Sequence, residues 1–271
     1  MQQLAKEMNL SETTFVLPPT DPRADFRVRI FTPGAEIPFA GHPVLGTHFV
    51  LAQLNRIVLK EPVTRVHQEL KVGILPVDLY IAGGKVQRVV MTQNQPQFLR
   101  VVEDTAGLAA ALGLAAKDIE ETGLPPQIVS TGLPQMMIPV RSLAAVQQAK
   151  PNSGMLIEIG RRLGTDCFMI FTRETLSPDN TVHSRMFAPS FGILEDPATG
   201  SASGALGAYL IEHSVIPTSG RTTEIVNEQG FEIDRPSIIY IEVDGTAGNI
   251  TAVRVGGQVT PLIVGTVHLE S

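Results

Sequence analysis

The chain is 271 residues long, 43% hydrophobic and 18% charged, and it carries 27 acidic residues against 21 basic ones. This length favours two domains, the scattered Lys and Arg residues exclude the basic face of a nucleic-acid-binding protein, and the apolar runs are too short to cross a membrane. One cysteine and no signal-peptide pattern predict a cytoplasmic protein without an internal disulfide.

The N-terminal part of the chain predicts a short helix followed by antiparallel strands. The helix is QQLAKEM, and the next segment, NLSETTFVL, has the pattern of a loop that enters a strand. Alternation of apolar and polar residues predicts a strand in DFRVRIFTP and three more in VTRVHQELKVGILPVDLYIAGGKVQRVVMTQ. The Gly83-Gly84 pair supplies the hairpin turn between the last two.

The middle of the chain contains the predicted domain boundary. Residues 104–122 predict one or two helices, the first with Asp104 as its N-cap, and the segment GLPPQ then breaks the pattern. We therefore expect domains at 1–122 and 123–257, with the tail 258–271 returning to the first. The second domain is predicted to contain helices SLAAVQQA and GMLIEIGRRL, several strands, and a strand-rich tail from Glu224 to Leu269.

Two segments of the chain resemble each other, namely FTPGAEIPFAGHPVLGTHFVLAQL and FAPSFGILEDPATGSASGALGAYL. Each runs from a strand through a loop to Pro-x-x-Gly-Thr/Ser and then into an apolar helix. Alignment of Pro43 on Pro197 places Gly46-Thr47 on Gly200-Ser201. A duplicated unit explains this match, and two unrelated Pro- and Gly-rich turns remain the alternative.

Both helices of these segments lack a polar stripe, which predicts that they are buried on all sides. Glycine inside a helix costs roughly 1 kcal/mol relative to alanine, so Gly200, Gly204 and Gly207 require close packing by neighbouring strands as compensation. The first N–H groups of a buried helix, together with its dipole, form a site that favours an anion. We expect two such helix ends to face one cleft between the domains.

The polar residues near the helix starts each allow two interpretations. Asp196 can close an Asx turn or take part in chemistry, and Thr199 or Ser201 can be an N-cap or bind a substrate. His42 stands at the position of Asp196 in the other segment, either as a structural histidine or as an acid/base group. For Glu12, a surface position is the simpler interpretation, and the residue pattern alone does not select it.

Several other chemistries lack their sequence patterns. The segment GSASG is not a Gly-x-Ser-x-Gly nucleophile elbow, and no Walker loop, dinucleotide-binding glycine pattern or paired metal-ligand spacing is present. Cys167 alternates within an apolar strand, as expected of an inert core thiol.

The sequence resembles the PhzF family of phenazine-biosynthesis-like proteins over essentially its whole length. The resemblance is carried by NLSETTF, EIPFAGHPVLGT, STGLPQMMIPV, SRMFAPSFGILEDPATGSASGAL and GQVTPLIVGTV. It implies an α+β, diaminopimelate-epimerase-like fold of two pseudo-symmetric domains, each a mostly antiparallel rolled sheet around a central buried helix. Family members of phenazine biosynthesis isomerise trans-2,3-dihydro-3-hydroxyanthranilate by moving a proton, without a cofactor or metal.

The resemblance also implies roles for individual residues. Glu12 becomes the proton carrier, with His42, Asp196 and Ser201 completing the catalytic set. The expected substrate-binding residues, which hold a small carboxylate, are Ser11, Gly41, Gly46, Thr47, Thr199 and Gly200. A homodimer is implied in the same way. Related thiol racemases carry a cysteine at each helix start, whereas the corresponding positions here have no sulfur.

Two further expectations follow from the resemblance. Glu12 needs a pKa raised toward neutrality to act as both base and acid, which burial could supply. The family's usual first strand and its Gly-Asn-Pro-like turn have no counterpart before Met1, so we expect exposed sheet edges and a looser Glu12 loop. A binding or interaction protein that keeps the cleft without turnover remains the alternative to an enzyme.

Overall fold

A computed structural model describes residues 1–218 and 220–268 of the chain. By their contacts these residues form two compact units. Unit 1 comprises Met1–Val90 together with the segment that starts at Gly257, and unit 2 comprises Met91–Gly256.

Unit 1 is built from a short sheet and a helix that packs on it. Its helices are α1 (Gln2–Met8) and α2 (Gly41–Gln53). Its strands are β1 (Thr13–Leu17), β2 (Phe26–Phe31), β3 (Glu36–Ile37), β4 (Val63–Leu70), β5 (Gly73–Ala82) and β6 (Lys85–Thr92), the last of which runs through the division. The strand order is β1-β2-β4-β5-β6, with β3 beside β2. The pair β2/β4 is parallel, and β1/β2 and β4/β5 are antiparallel.

Helix α2 is covered on only part of its circumference. It packs against β1 and β5, and Val44, Phe49 and Leu51 are buried, but Val50 is 46% exposed and Leu54, its C-cap, is 62% exposed. The expectation that this helix is enclosed on all sides was therefore wrong. An apolar sequence around the whole circumference does not require strands on every side.

Unit 2 contains a larger sheet with helices on both faces. Its strands are β7 (Gln97–Val101), β8 (Gln127–Ser130), β9 (Pro134–Pro139), β10 (Phe168–Thr172), β11 (Val182–Ala188), β12 (Ile193–Asp196), β13 (Thr222–Gln229), β14 (Ser237–Thr246) and β15 (Asn249–Gly257). Its helices are α3 (Thr105–Leu112), α4 (Lys117–Glu120), α5 (Leu143–Gln148), α6 (Ser153–Leu163) and α7 (Gly200–Glu212). The strand order is β15-β14-β13-β11-β10-β9-β8-β7, with β12 beside β11. Two neighbouring pairs, β9/β10 and β11/β13, are parallel.

The period-two alternation of the strands separates two hydrophobic cores in unit 2. In β10, Met169 and Phe171 belong to the core that surrounds α7, whereas Phe168 and Ile170 belong to the core under α3 and α6. Because both faces of the sheet are covered, β10 is buried along its whole length. This burial explains why its sequence reads as a continuous apolar run.

Helix α7 is enclosed as predicted, and its glycines make room for its neighbours. All residues from Ala202 to Ile211 are buried. A Cβ atom on Gly204 would lie 1.9 Å from Oε1 of Gln93, and one on Gly207 would lie 2.5 Å from the Ile241 side chain. Close approach by surrounding residues thus offsets the helical cost of glycine.

The division between the units lies earlier in the chain than the expected boundary at 122/123. Strand β7 pairs with β8, and α3 packs against α6, so residues 91–122 belong with unit 2. The loop GLPPQ marks a turn inside this unit. Pro and Gly residues identify a loop between two elements, but they do not show with which unit the preceding strand pairs.

The C-terminal segment differs from the predicted strand-rich tail. Among the described residues the strands end at Gly257, and residues 258–268 lie in no helix or strand, although contacts group this segment with unit 1. Leu262, Ile263 and Val264 are 91%, 85% and 92% exposed. The apolar sequence favours a strand, but a strand forms only where its backbone groups pair. The predicted end at Leu269 lies outside the described residues.

Candidate active site

The start of α2 carries two of the predicted site residues. The helix begins at Gly41, follows an extended Ala40, and has no hydrogen bond from an N-cap side chain. Pro43 occupies its first turn, where a missing N–H leaves no intrahelical bond unmade. His42, the second helical residue, is therefore held at the helix end.

Glu12 lies beside His42. Oε2 of Glu12 is 3.0 Å from Nε2 of His42, and the two side chains are 10% and 39% exposed, respectively. Burial acts to raise the pKa of Glu12. The contact with His42 and a weaker hydrogen bond from Ser11 lower this pKa by more than burial raises it, so the net pKa lies below the usual value. The expected upward shift was thus wrong, because burial is outweighed by a partner that the sequence places thirty residues away. Glu12 is ionised in this pairing.

An open cavity of about 720 Å³ lies within unit 1 next to this pair. Four of the predicted site residues line it, namely Glu12, His42, Gly46 and Thr47. Much of the remaining wall is apolar and includes Val16, Phe26, Val50 and Leu54. The carboxylate and the imidazole therefore border a space that can admit a small molecule.

Thr47 is engaged inside the fold. Its hydroxyl lies 2.7 Å from the Pro43 carbonyl oxygen, to which it donates, and 2.8 Å from the Thr14 hydroxyl. Thr14 belongs to β1, which begins directly after Glu12 in the chain. The contact ties α2 to the strand that follows the carboxylate, so Thr47 supports the Glu12–His42 geometry.

The second group of predicted residues lies at the start of α7. Strand β12 ends at Asp196, Thr199 is the N-cap, and Gly200 is the first helical residue. The Thr199 hydroxyl does not cap the helix and instead donates to Oδ2 of Asp196. Asp196 is buried. The first N–H groups of the helix are thus not capped by Thr199, as an anion-binding end requires.

Three buried glutamines hold this helix start, and sequence reasoning did not find them. Nε2 of Gln93 donates to the Gly200 carbonyl at 2.8 Å, and Nε2 of Gln135 lies 3.4 Å from Oγ of Ser201. Gln229 makes three hydrogen bonds to Asp196 and Thr199. All three lie within a strand or directly after one, and an amide side chain there is a weak sequence signal, because most such side chains are ordinary buried or surface polar residues.

The two helix starts correct the alignment made from sequence. Pro43 lies inside the first turn of α2, whereas Pro197 precedes α7, and Gly41 rather than Gly46 corresponds to Gly200 as the first helical residue. His42 and Ser201 are then the second residues of their helices. The error arose because proline is favoured both within the first turn and before a helix, so matched prolines do not fix helix register.

Each group of predicted residues is assembled within one unit. Glu12 and His42 line the cavity of unit 1, Ser11 is hydrogen-bonded to Glu12, and Gly41 lies at the start of α2. Asp196, Thr199, Gly200 and Ser201 lie together in unit 2. Cys167 belongs to neither group, because it is 1% exposed and burial, with the charges of Asp166 and Asp196, raises its thiol pKa to about 12.

Neither a metal-ligand cluster nor a membrane-spanning helix occurs among the described residues. In residues 1–218 and 220–268, no three or more His, Cys, Asp or Glu side chains are grouped so that they could hold a metal ion. Over the same ranges, none of the helices is long and apolar enough to span a bilayer.

Comparison with known proteins gives a consistent family. The family model described as phenazine biosynthesis-like protein matches residues 1–265. The trans-2,3-dihydro-3-hydroxyanthranilate isomerase of Pseudomonas aeruginosa is 37% identical over 273 residues, which cover 99% of this chain and 88% of the relative. A PhzF-family phenazine biosynthesis protein of Bacillus anthracis matches with a TM-score of 0.83 and 29% identity, covering 95% and 84% of the two chains.

A more distant structure shows that the fold extends beyond this family. The hydroxyproline epimerase of Agrobacterium vitis, solved with bound trans-4-hydroxy-L-proline, has a TM-score of 0.63 at 16% identity, covering 91% of this chain and 71% of the other. The α+β, epimerase-like fold predicted from the sequence is confirmed.

Proposed function

Because the chain is an isomerase of the phenazine biosynthesis-like (PhzF) family, we propose that it moves a proton on a small carboxylated substrate, with Glu12 as the proton carrier and no cofactor. The observation that carries this proposal is the 3.0 Å contact between Glu12 and His42 beside an open cavity. An ionised carboxylate held there can take a proton from carbon and return it to a second position. His42 stabilises the ionised form and exchanges protons at the open side.

We assign substrate binding to the start of α7. The uncapped N–H groups and the helix dipole favour a carboxylate, and the Ser201 hydroxyl adds a donor. Asp196 serves as the partner of an amino or hydroxyl group on the same molecule.

The substrate class we propose is a dihydrohydroxyanthranilate-type ring or an amino-acid-like carboxylate. The first type is supported by the activity named for the Pseudomonas aeruginosa relative. The apolar part of the unit 1 cavity fits a molecule with a hydrocarbon ring.

The test of Glu12 is proton exchange. Candidate substrates are incubated in D₂O with the wild-type chain and with Glu12→Gln, which keeps the shape and removes the base. We expect kcat to fall by at least about 10²-fold, since this is the lower range for a positioned acid/base group, with solvent deuterium appearing in product only at the residual rate.

The matched control is Glu7→Gln, the same change on the exposed part of α1. It should leave turnover unchanged. Equal deuterium incorporation by wild type and Glu12→Gln would remove Glu12 from the mechanism. Binding of substrate by the wild type without any exchange would instead support a binding protein.

The test of the carboxylate site is Ser201→Ala. We expect binding to weaken by roughly 1.5–3 kcal/mol, the range for a hydrogen bond to a charged group, with a smaller effect on kcat at saturation. Isothermal titration with a substrate carboxylate and with its methyl ester measures this, because the ester should lose affinity for the wild type and much less for the variant. Equal affinities of wild type and Ser201→Ala would contradict the assignment.

A further inference from the structure

Gln229, the last residue of β13, is fully buried and makes three hydrogen bonds to the turn before α7. Its Oε1 accepts from the Thr199 backbone N–H at 3.1 Å. Its Nε2 donates to the Asp196 carbonyl at 2.7 Å and to the Thr199 hydroxyl oxygen at 2.9 Å. Every polar atom of this amide therefore faces the two residues that flank Pro197 and Ala198.

The backbone partners fix which end of the amide is the donor. An N–H group can only donate and a carbonyl can only accept, so Oε1 must face Thr199 N and Nε2 must face the Asp196 carbonyl. The second proton of Nε2 then goes to the Thr199 hydroxyl oxygen. Amide orientation is thus determined by chemistry at this position, and a flipped Gln229 would lose both backbone bonds.

The direction of the next hydrogen bond follows. Because the Thr199 oxygen accepts from Gln229, its own proton is directed to Oδ2 of Asp196, with which it is in contact. Oδ2 is therefore an acceptor. A donated hydrogen bond favours the charged form of a carboxyl group over the protonated form.

We propose that Gln229 is a positioning residue that, through Thr199, holds Asp196 as a carboxylate, so that Asp196 accepts a proton or hydrogen bond from the substrate instead of supplying one. The proposal rests on the function proposed above and adds to it. It divides the roles in the proposed mechanism, since the acid that returns a proton must then be a group other than Asp196.

The backbone next to Gln229 has little freedom to change this arrangement. Gly230 has a φ of 81°, and a Cβ atom there would lie 2.7 Å from the Pro197 carbonyl oxygen and 2.4 Å from that of Arg235. The end of β13 thus lies directly against the turn. Residue 230 must be glycine both for its positive φ and for this contact.

The other ionisable groups described near this turn are either neutral or paired with residues other than Gln229. The Cys167 thiol, whose pKa is raised partly by the charge of Asp196, stays neutral. Glu195 is paired with Arg185 at 2.8 Å. Glu228, which precedes Gln229, contacts His183 at 2.8 Å, and the other side of that imidazole contacts Glu232. Substitution of Gln229 by an apolar residue removes no charge from this surrounding set.

The experiment titrates the Asp196 carboxyl by ¹³C NMR in the full-length chain, with its signal identified by its loss in Asp196→Asn. We expect the midpoint to rise by about one pH unit in Gln229→Met, because one donated hydrogen bond to the charged form is lost or misdirected. Thr199→Val should give a similar rise. The double variant should not exceed the larger single change, since both break the same chain of hydrogen bonds.

Two controls separate this role from simple structural support. Gln127→Met makes the same change at a buried glutamine that bonds Leu99 and His213 instead, and it should leave the Asp196 midpoint unchanged even if stability falls. Thr199→Ser keeps the hydroxyl and should restore the wild-type midpoint. An unchanged midpoint in both Gln229→Met and Thr199→Val, or the same rise in Gln127→Met, would overturn the proposal.

If Gln229→Met fails to fold, comparison of Thr199→Val with Thr199→Ser still measures the effect of the hydroxyl on Asp196. Equal Asp196 midpoints in these two variants would overturn the proposal. Activity gives a second measurement. The acidic limb of the kcat profile should move to higher pH with the NMR midpoint, while KM stays within about threefold. A wild type that turns over no substrate would end the proposed function and leave the NMR result to decide this inference.

Discussion

At the scale of single residues, the protonation of Glu12 depends on burial and on its contacts. Burial acts to raise its pKa, and the contacts with His42 and, to a lesser extent, Ser11 together outweigh that effect. A base must be ionised to act, so a lowered pKa extends activity toward acidic pH. If Glu12 is the base, as proposed above, His42 helps to set the pH range over which Glu12 can take a proton.

We expect His42→Phe to shift the acidic limb of kcat/KM to higher pH. The ring volume is largely kept, the cation and donor are lost, and burial then raises the pKa of Glu12 without opposition from the imidazole. The pH–rate profile from about pH 4 to about pH 9 measures this, a range that spans the ordinary pKa values of Glu and His. His67→Phe is the control, since His67 is half-buried and its Nδ1 lies 3.9 Å from Oδ2 of Asp25; an identical limb in wild type and His42→Phe would contradict the assignment.

Residue-level prediction from sequence was uneven for a physical reason. Glu12 was selected by family resemblance alone, because a carboxylate in a loop has no local pattern that distinguishes a site from a surface. Gln229 and Gln93 were missed, since their importance comes from partners far away in the chain. Cys167 was predicted correctly as a core thiol from strand alternation, which is a local signal.

At the scale of elements, α2 and α7 are both thirteen residues long but differ in what surrounds their glycines. Gly204 in α7 faces Gln93, which is hydrogen-bonded to Gly200 and Thr131. Gly46 in α2 has open space around it, because a Cβ atom added there would meet nothing within 4 Å. A side chain added at the glycine would therefore clash in α7 but fit without contact in α2.

We expect Gly204→Ala to lower the free energy of unfolding by about 1–3 kcal/mol, because Gln93 must move and leave buried polar groups unpaired. Gly46→Ala should raise it by up to about 1 kcal/mol, the helix propensity difference. Urea denaturation of both variants gives the two signs. An increase in the free energy of unfolding of Gly204→Ala would contradict this, because it would show that Gln93 can move without losing stability.

The sequence predicted burial of α7 correctly, because packing glycines and the absence of polar residues both follow from enclosure. It did not predict the exposed side of α2 or the relative register of the helix starts. Composition reports how apolar a helix is, and the neighbours that cover it are set by strand pairing elsewhere in the chain.

At the scale of the whole molecule, the two units differ in how the chain builds them. Unit 2 is one continuous stretch, 91–256, and it contains both described hydrophobic cores. Unit 1 combines the N-terminal residues with the C-terminal segment. Strand pairing between β7 and β8 explains why the division precedes the loop chosen from sequence.

We therefore expect the fragment 91–256 to fold alone, with a single cooperative unfolding transition and a stability of at least about 5 kcal/mol, the low end for native domains. Circular dichroism during urea titration tests this. The fragment 123–256, cut at the boundary expected from sequence, is the control and should lose cooperativity because β8 then lacks β7. Equal behaviour of the two fragments would contradict the assignment of 91–122 to unit 2.

The buried Cys167 provides an intrinsic reporter of how often the interior opens. It is the single cysteine of the chain, and its thiol, with a pKa of about 12, is a poor nucleophile while unit 2 stays closed. Modification by an alkylating reagent must then wait for a transient exposure of the core. The rate of that labelling records how often the interior meets solvent, with no dye or engineered group added.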